Sequence, residues 1–166
     1  VTGQMQNLLL LNTKGSPLQE VILYSDQRSI EESEWLLQNS CYLDLVAKTG
    51  NEQGPTSLLA KLLWIKKHQP EIFSKTNCLL PGASDYVVFR ITGEKATDTT
   101  TASTTGLMEL VERKWIDDAL FNKMGLQGVQ TLLPKLFDGG AKIGELQKKA
   151  ATDLGIPAGL PVFLGP

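Results

Sequence analysis

"GQMQNLLLLNTKGSPLQEVILYSDQR", residues 3–28, is the stretch whose reading sets the fold class. Leu8 to Leu11 is an unbroken apolar run, bounded by Asn12, Thr13, Lys14 and Gly15. A strand wet on one face alternates apolar with polar residues, whereas an unbroken run fits a strand covered on both faces by helices. A second apolar run, Val21 to Tyr24, follows, and Gly15 between the two can supply a positive φ. The pair therefore reads as a β-hairpin within an α/β domain.

Downstream, the punctuation is helical. Ser29 and Glu32 have capping-box spacing ahead of Trp35, Leu36 and Leu37. Ser40 can open a further short helix that Gly50 closes, and residues 51–56, "NEQGPT", have loop chemistry. Leu58, Leu59, Leu62, Leu63 and Ile65 repeat at helical spacing, with Lys61, Lys66 and Lys67 expected largely off that stripe and Pro70 ending the helix. Ser84 and Gly93 bracket another helix as N-cap and C′ residue. Further helices are expected from Trp115 to Met124 and from Ile143 to Leu154, and "PVFLG", residues 161–165, reads as a strand.

Composition narrows the function classes. The chain has 166 residues, 42% of them hydrophobic, enough for a domain with a real core. A net charge of −2 offers no broad attraction to nucleic acid or acidic lipid. No apolar run approaches the roughly 20 residues that span a bilayer. Cys41 and Cys78 lack metal-type spacing and read as free, buried thiols of a reducing compartment. His68, the single histidine, reads as a solvated or helix-capping residue. There is no Walker-type loop, no Gly-x-Ser-x-Gly elbow and no second histidine for a triad or a metal. The acidic pairs Glu31-Glu32 and Asp117-Asp118 point to different faces of a helix and read as solvated surface.

Taken in order, the blocks carry a resemblance. Residues 3–28 resemble the Gly-Gln-Met-His-Gly and Trp-x-Asp-x-Arg segments of the FGGY carbohydrate kinases, especially the xylulokinase and gluconokinase branches. "KLLWIKKHQPEIF" (61–73) resembles that family's Lys-Leu-x-Trp-Ile helix and the Pro-Glu after it. "SDYVVFRITGEKATDTTTAS" (84–103), "LLPKLFDGGAKIGEL" (132–146) and "LGIPAGLPVFLGP" (154–166) resemble three further family segments in the family's own order. The resemblance implies an actin-like ATPase, ribonuclease-H-like α/β domain, here partial. Residues 1–166 would be most of the N-terminal kinase domain. The phosphate loop would lie before Val1, the catalytic aspartate just after Pro166, and the ATP-binding half further on.

The implied reaction passes the γ-phosphoryl of MgATP to a sugar hydroxyl, a pentulose such as xylulose first, gluconate or another family substrate as the alternative. The implied cofactors are thus ATP and Mg2+, and the implied partners a small sugar and ATP, with neither nucleic acid nor membrane, in the cytoplasm. A non-catalytic sugar-sensing module on the same fold is the reading from another class. No catalytic residue and no metal ligand is expected within the span. The sugar is expected at Gln4, Met5 and Gln6, with Asp26 and Arg28 either ordering their loop or facing the cleft, and Thr56 beside them. Gln6 stands where xylulokinases usually have histidine; it can donate and accept a hydrogen bond but cannot carry charge. Lys61 and Trp64 are expected to be structural, and the Thr99–Thr104 hydroxyls to bond local backbone. Because the resemblance puts neighbouring strands before Val1, the chain by itself is expected to expose a strand edge and to associate, as a homodimer or less specifically.

Overall fold

The Leu8–Leu11 run is buried as its composition demands, but its main partner is not the one next to it in sequence. In the computed structural model, which describes residues 1–165, β1 (Leu9–Leu11) leads through a long loop to α1 (Ile30–Gln38) and α2 (Tyr42–Thr49). Then come α3 (Leu58–His68), α4 (Pro70–Lys75) and β2 (Cys78–Leu80). β1 and β2 pair antiparallel, Leu9 with Leu80, Leu10 with Leu79 and Leu11 with Cys78. One face of this ladder, with Leu8, Leu10 and Leu79, packs into the largest core cluster with α1, α2 and α3. The other face, with Leu9, Leu11, Cys78 and Leu80, is covered by Tyr86 and Phe89. The two-sided burial read from the unbroken apolar run is therefore what the fold contains.

The expected hairpin survives only as isolated bridges, Leu8 to Ile22 and Leu11 to Pro17. Pro17 has no N–H to extend a ladder, and Val21, Leu23 and Tyr24 face outward. The turn itself is as read. Gly15 sits at φ +75°, and a Cβ there would lie 2.5 Å from the Phe89 ring, so both backbone and space require glycine.

The second half builds smaller ladders. α5 (Ala83–Thr92) ends on Gly93 in the left-handed conformation, as its sequence predicts. Ser84, however, lies buried inside the first turn, and Gly82 holds the N-cap position. β3 (Ala96–Asp98) runs into α6 (Thr99–Ser103), whose N-cap Asp98 accepts from the Thr101 N–H. β4 (Met108–Glu109) pairs antiparallel with β5 (Lys114–Trp115). That pairing takes Trp115 out of the helix expected from it. The helix formed, α7 (Asp118–Lys123), starts where Asp117 caps it by accepting from Leu120 N at 2.8 Å. A 3-10 turn, Val129–Leu132, precedes β6 (Lys135–Phe137), which lies parallel to β3. β7 (Lys142–Glu145) pairs antiparallel with β8 (Pro161–Phe163), enclosing α8 (Lys148–Leu154). The helix expected from Ile143 therefore begins five residues later, because Ile143 packs beneath α5 from a strand.

Three smaller expectations also change. Ser29 does occupy the N-cap position of α1, but its hydroxyl donates to Pro55 O at 2.8 Å instead of capping. Pro70 ends α3 and, as the first residue of α4, starts another helix, a position where its missing N–H is harmless. α2 begins at Tyr42, with Cys41 rather than Ser40 at its N-cap position, and closes on left-handed Gly50. Cys41 and Cys78 are free and buried, and burial pushes the Cys78 thiol up to about 11. Among the described residues no helix is long and apolar enough to cross a membrane.

Candidate sugar-binding loops

Residues Gln4 to Asn7 run in against the start of α5, where Ala83 N donates to Gln4 O and Asn7 N donates to Pro81 O, each at 2.9 Å. Among the described residues Gln6 is one of two non-glycine residues with positive φ, at 59°. An L-residue held there costs roughly 1 kcal/mol, which the surroundings must offset. They do so through its side chain, whose Nε2 donates to Thr104 O at 3.1 Å. With the amide nitrogen committed, Oε1 is left as a hydrogen-bond acceptor. Met5 and Gln6 are half-buried and Gln4 is exposed.

Asn7, immediately after this motif, is 2% exposed and joins it to the next loop. Its Nδ2 donates to Gln4 O at 2.9 Å and its Oδ1 accepts from Tyr24 N at 3.3 Å. Asn7→Ala should therefore lower stability by about 1 kcal/mol, because Tyr24 N loses its acceptor while Gln4 O keeps only its bond from Ala83 N. Chemical denaturation checks this, and an unchanged midpoint would refute the bolt.

The Leu23–Arg28 loop is ordered by two devices. The first is an ion pair. Arg28 Nε and Nη2 donate to Asp26 Oδ1 and Oδ2 at 2.9 and 2.7 Å, and Arg28 N donates to Oδ1 at 3.0 Å. Arg28 holds the Asp26 carboxyl down at about 2, too acidic for a base that must take a hydroxyl proton near neutrality. The Arg28 guanidinium also lies 4.9 Å from the Trp64 ring centroid, and Trp64 stacks in turn on His68. His68 is exposed, as the sequence reading has it, and it also stacks on Trp64 with its Nε2 3.2 Å from Glu32 Oε1. The second device is Lys61. It is 0% exposed, against the expectation that it lies off the apolar stripe. Its Nζ donates to Leu23 O at 2.8 Å and Tyr24 O at 3.0 Å. Burial pulls its pKa below the usual lysine range.

The two remaining loops close a ring. Thr56, half-exposed, ends a segment held by Ser29 through Pro55 O and by Ser57 Oγ, which accepts from Gly54 N at 2.9 Å. Asn51 Nδ2 donates to Ser103 O at 2.8 Å, next to the Thr104 that Gln6 holds. The α6 hydroxyls are used locally: Thr101 Oγ1 donates to Asp98, and Ser103, Thr104 and Thr105 donate to carbonyls three residues back. Residues 4–7, 23–29, 51–57 and 103–105 are therefore linked into one hydrogen-bonded ring. Gln4, Met5, Gln6, Asp26, Arg28 and Thr56 all lie on it. The ring offers amides and hydroxyls, while its one Asp–Arg pair is consumed internally. Chemically it can fix neutral hydroxyl groups.

A cavity of about 660 Å³ adjoins the ring at Gln4, Asn7 and Leu23. It is apolar, lined by residues such as Leu9, Val21, Leu23, Tyr86 and Val87, and shares only Gln4 with the six candidate positions. Reading the sequence did not single out Asn7, Asn51 or Ser29 as joints of the ring, and it placed Lys61 on the wrong face. The signal for Lys61 was present: with Leu58, Leu62 and Ile65 it stands at i+3 of an i, i+4, i+7 stripe.

The family model for the N-terminal domain of the FGGY family of carbohydrate kinases matches residues 1–166. The xylulose kinase of Escherichia coli (strain K12) is 32% identical over 166 residues, covering 99% of this chain and 33% of that protein. Among solved structures, a xylulose kinase from Rhodospirillum rubrum superposes with a TM-score of 0.90 at 28% identity, covering 100% of this chain and 33% of that one. A gluconate kinase from Lactobacillus acidophilus gives 0.86 at 28% identity, with 98% and 32% covered. The chain thus spans about a third of the length of the relatives it matches.

Proposed function

The chain belongs to the FGGY family of carbohydrate kinases and takes the actin-like ATPase fold of its N-terminal domain, and on that premise we propose that it forms most of the sugar-binding side of an ATP-dependent sugar kinase. The observation that carries this reading is the orientation of Gln6. Thr104 O fixes the amide nitrogen, so Oε1 is held ready to accept from a sugar hydroxyl. Gln4 and Thr56, on the same ring, add neutral groups of the kind that recognise one hydroxyl each.

A pentulose such as xylulose is the favoured substrate. A sugar acid would call for an unpaired cation to meet its carboxylate. Arg28 is engaged by Asp26 on both sides of its fork, and Lys61 by two backbone carbonyls. Gluconate remains the second reading, favoured by the gluconate kinase among the structural neighbours.

The residues present do not suit the remaining chemistry. Among the described residues no group of three His, Cys, Asp or Glu side chains is placed to hold a metal ion, and Asp26 is too acidic to serve as base. The proposal therefore assigns MgATP and the catalytic aspartate to parts of a longer protein beyond those matched. Free buried thiols and dependence on ATP fit a cytoplasmic setting.

The test is ATP consumption by the full-length protein, offered xylulose and gluconate separately, with sugar binding followed by calorimetry. Xylulose-dependent turnover is expected. A sugar that binds with no turnover would replace the kinase by a non-catalytic sensor, and turnover with gluconate alone would overturn the substrate.

A further inference from the structure

Lys61 is buried at a cost that nothing in the proposed chemistry requires. An ammonium removed from water is unfavourable unless fully partnered, and a leucine would fill this stripe position on α3 without that penalty. What lysine adds is a fork onto two adjacent carbonyls, Leu23 O and Tyr24 O. Three residues on, on the same helix face, Trp64 lies under Arg28. Helix α3 thus holds the loop near its start and at its end. Tyr24 is also the residue whose N–H meets Asn7, and Asn7 holds Gln4 O.

We propose that Lys61 is a positioning residue for sugar binding, strapping the Leu23–Arg28 loop to α3 and, through Tyr24 and Asn7, fixing the Gln4–Gln6 segment in register with it. The inference rests on the reading of this ring as the sugar site. The strap itself is a claim about the chain alone.

Lys61→Met in the full-length kinase keeps the stem and removes the donor. The KM for sugar should rise by about tenfold or more while the KM for ATP changes by less than about twofold. Leu146→Ala supplies the control. It opens the separate core cluster formed by α5, α8 and the β7–β8 ladder, and should lower the melting temperature without moving the sugar KM. Hydrogen exchange of the full-length protein gives a readout independent of activity: amides of residues 23–28 should exchange faster in Lys61→Met than in the native protein, with α5 amides unaffected. Should Lys61→Met fail to fold, Lys61→Gln, which retains an amide donor, should show the same split at smaller size.

A parallel rise in both KM values, or an equal rise in Leu146→Ala, would reduce Lys61 to a core residue. Uniform exchange across the chain would do the same. A native protein that turns over no sugar would sink the functional reading instead, and the exchange experiment would still decide the strap.

Discussion

Asp85→Asn should stabilise the protein above neutral pH and remove most of the pH dependence of its stability between about pH 4 and pH 7. Asp85 lies on the first turn of α5 and is 0% exposed. Neither carboxyl oxygen closes a hydrogen bond, and the nearby Thr97 Oγ1 is also without a partner. Burial is the main reason its pKa is pushed up to about 7 from 3.8, with the Asp98 charge adding to it; Thr97 and the Gly82 N–H, near the carboxyl but without closing a hydrogen bond, offset only part. The folded state thus holds this proton more tightly than the unfolded chain does. Below about pH 4 both states are protonated and the group is harmless. As pH rises toward 7 the unfolded chain ionises first, and stability falls. Above 7 the full penalty applies, at most about 4 kcal/mol for a shift of this size. Asparagine carries no charge and can donate to the Thr97 hydroxyl. Denaturant midpoints at pH 5 and pH 8 should diverge for the native protein and converge for Asp85→Asn. Parallel slopes in the two proteins would show that Asp85 is satisfied and ionised in the fold.

Asp85 also shows where a sequence stops being informative. "SDYVVFRITGE" contains a helix and its glycine stop, and both are found in α5. That the aspartate inside it would be orphaned depends on which elements close over it, and sequence order does not hold that. The ladders obeyed the same limit. β1 was legible from its own composition, but its partner Cys78–Leu80 is 67 residues from it at the Leu11–Cys78 pair. Three apolar residues at such a distance carry no local signal, whereas Val21–Tyr24 lay close by and drew the hairpin reading. Short strands such as Lys114–Trp115 and Lys142–Glu145 were absorbed into neighbouring helix patterns, because two to four residues cannot establish a period. The candidate site positions rest on family motifs. The Asp26–Arg28 spacing suggested an ordering pair, and the bidentate geometry is one. The joints Asn7 and Asn51 act across long sequence separations onto backbone, which leaves no pattern to read, and for Lys61 the stripe carries its burial but not its partners.

On the proposed reading as a sugar kinase, Gln6→Leu in the full-length protein should lower kcat/KM for sugar by about 100-fold, while Gln6→His should stay within about fivefold of the native protein. Both figures follow from what the amide does. Its Nε2 satisfies Thr104 O at 3.1 Å, tying α6 to the motif, and on the proposed reading its Oε1 accepts from the substrate. Leucine removes both interactions, leaving a carbonyl and a sugar hydroxyl without partners. At roughly 1–1.5 kcal/mol each, the loss is about 2–3 kcal/mol, or two decades in rate at the upper end. A neutral imidazole has one N–H and one bare ring nitrogen, so it can give to Thr104 O and still accept from sugar. Histidine is also one of the residues that tolerates the positive φ found here. Leucine tolerates that conformation less well, so the melting temperatures of the two variants are compared as well, to separate backbone strain from lost hydrogen bonding. If Gln6→Leu and Gln6→His lose activity equally, shape rather than the donor–acceptor pair governs the position. If neither loses activity, the sugar does not contact Gln6, and the site must be sought on another part of the ring.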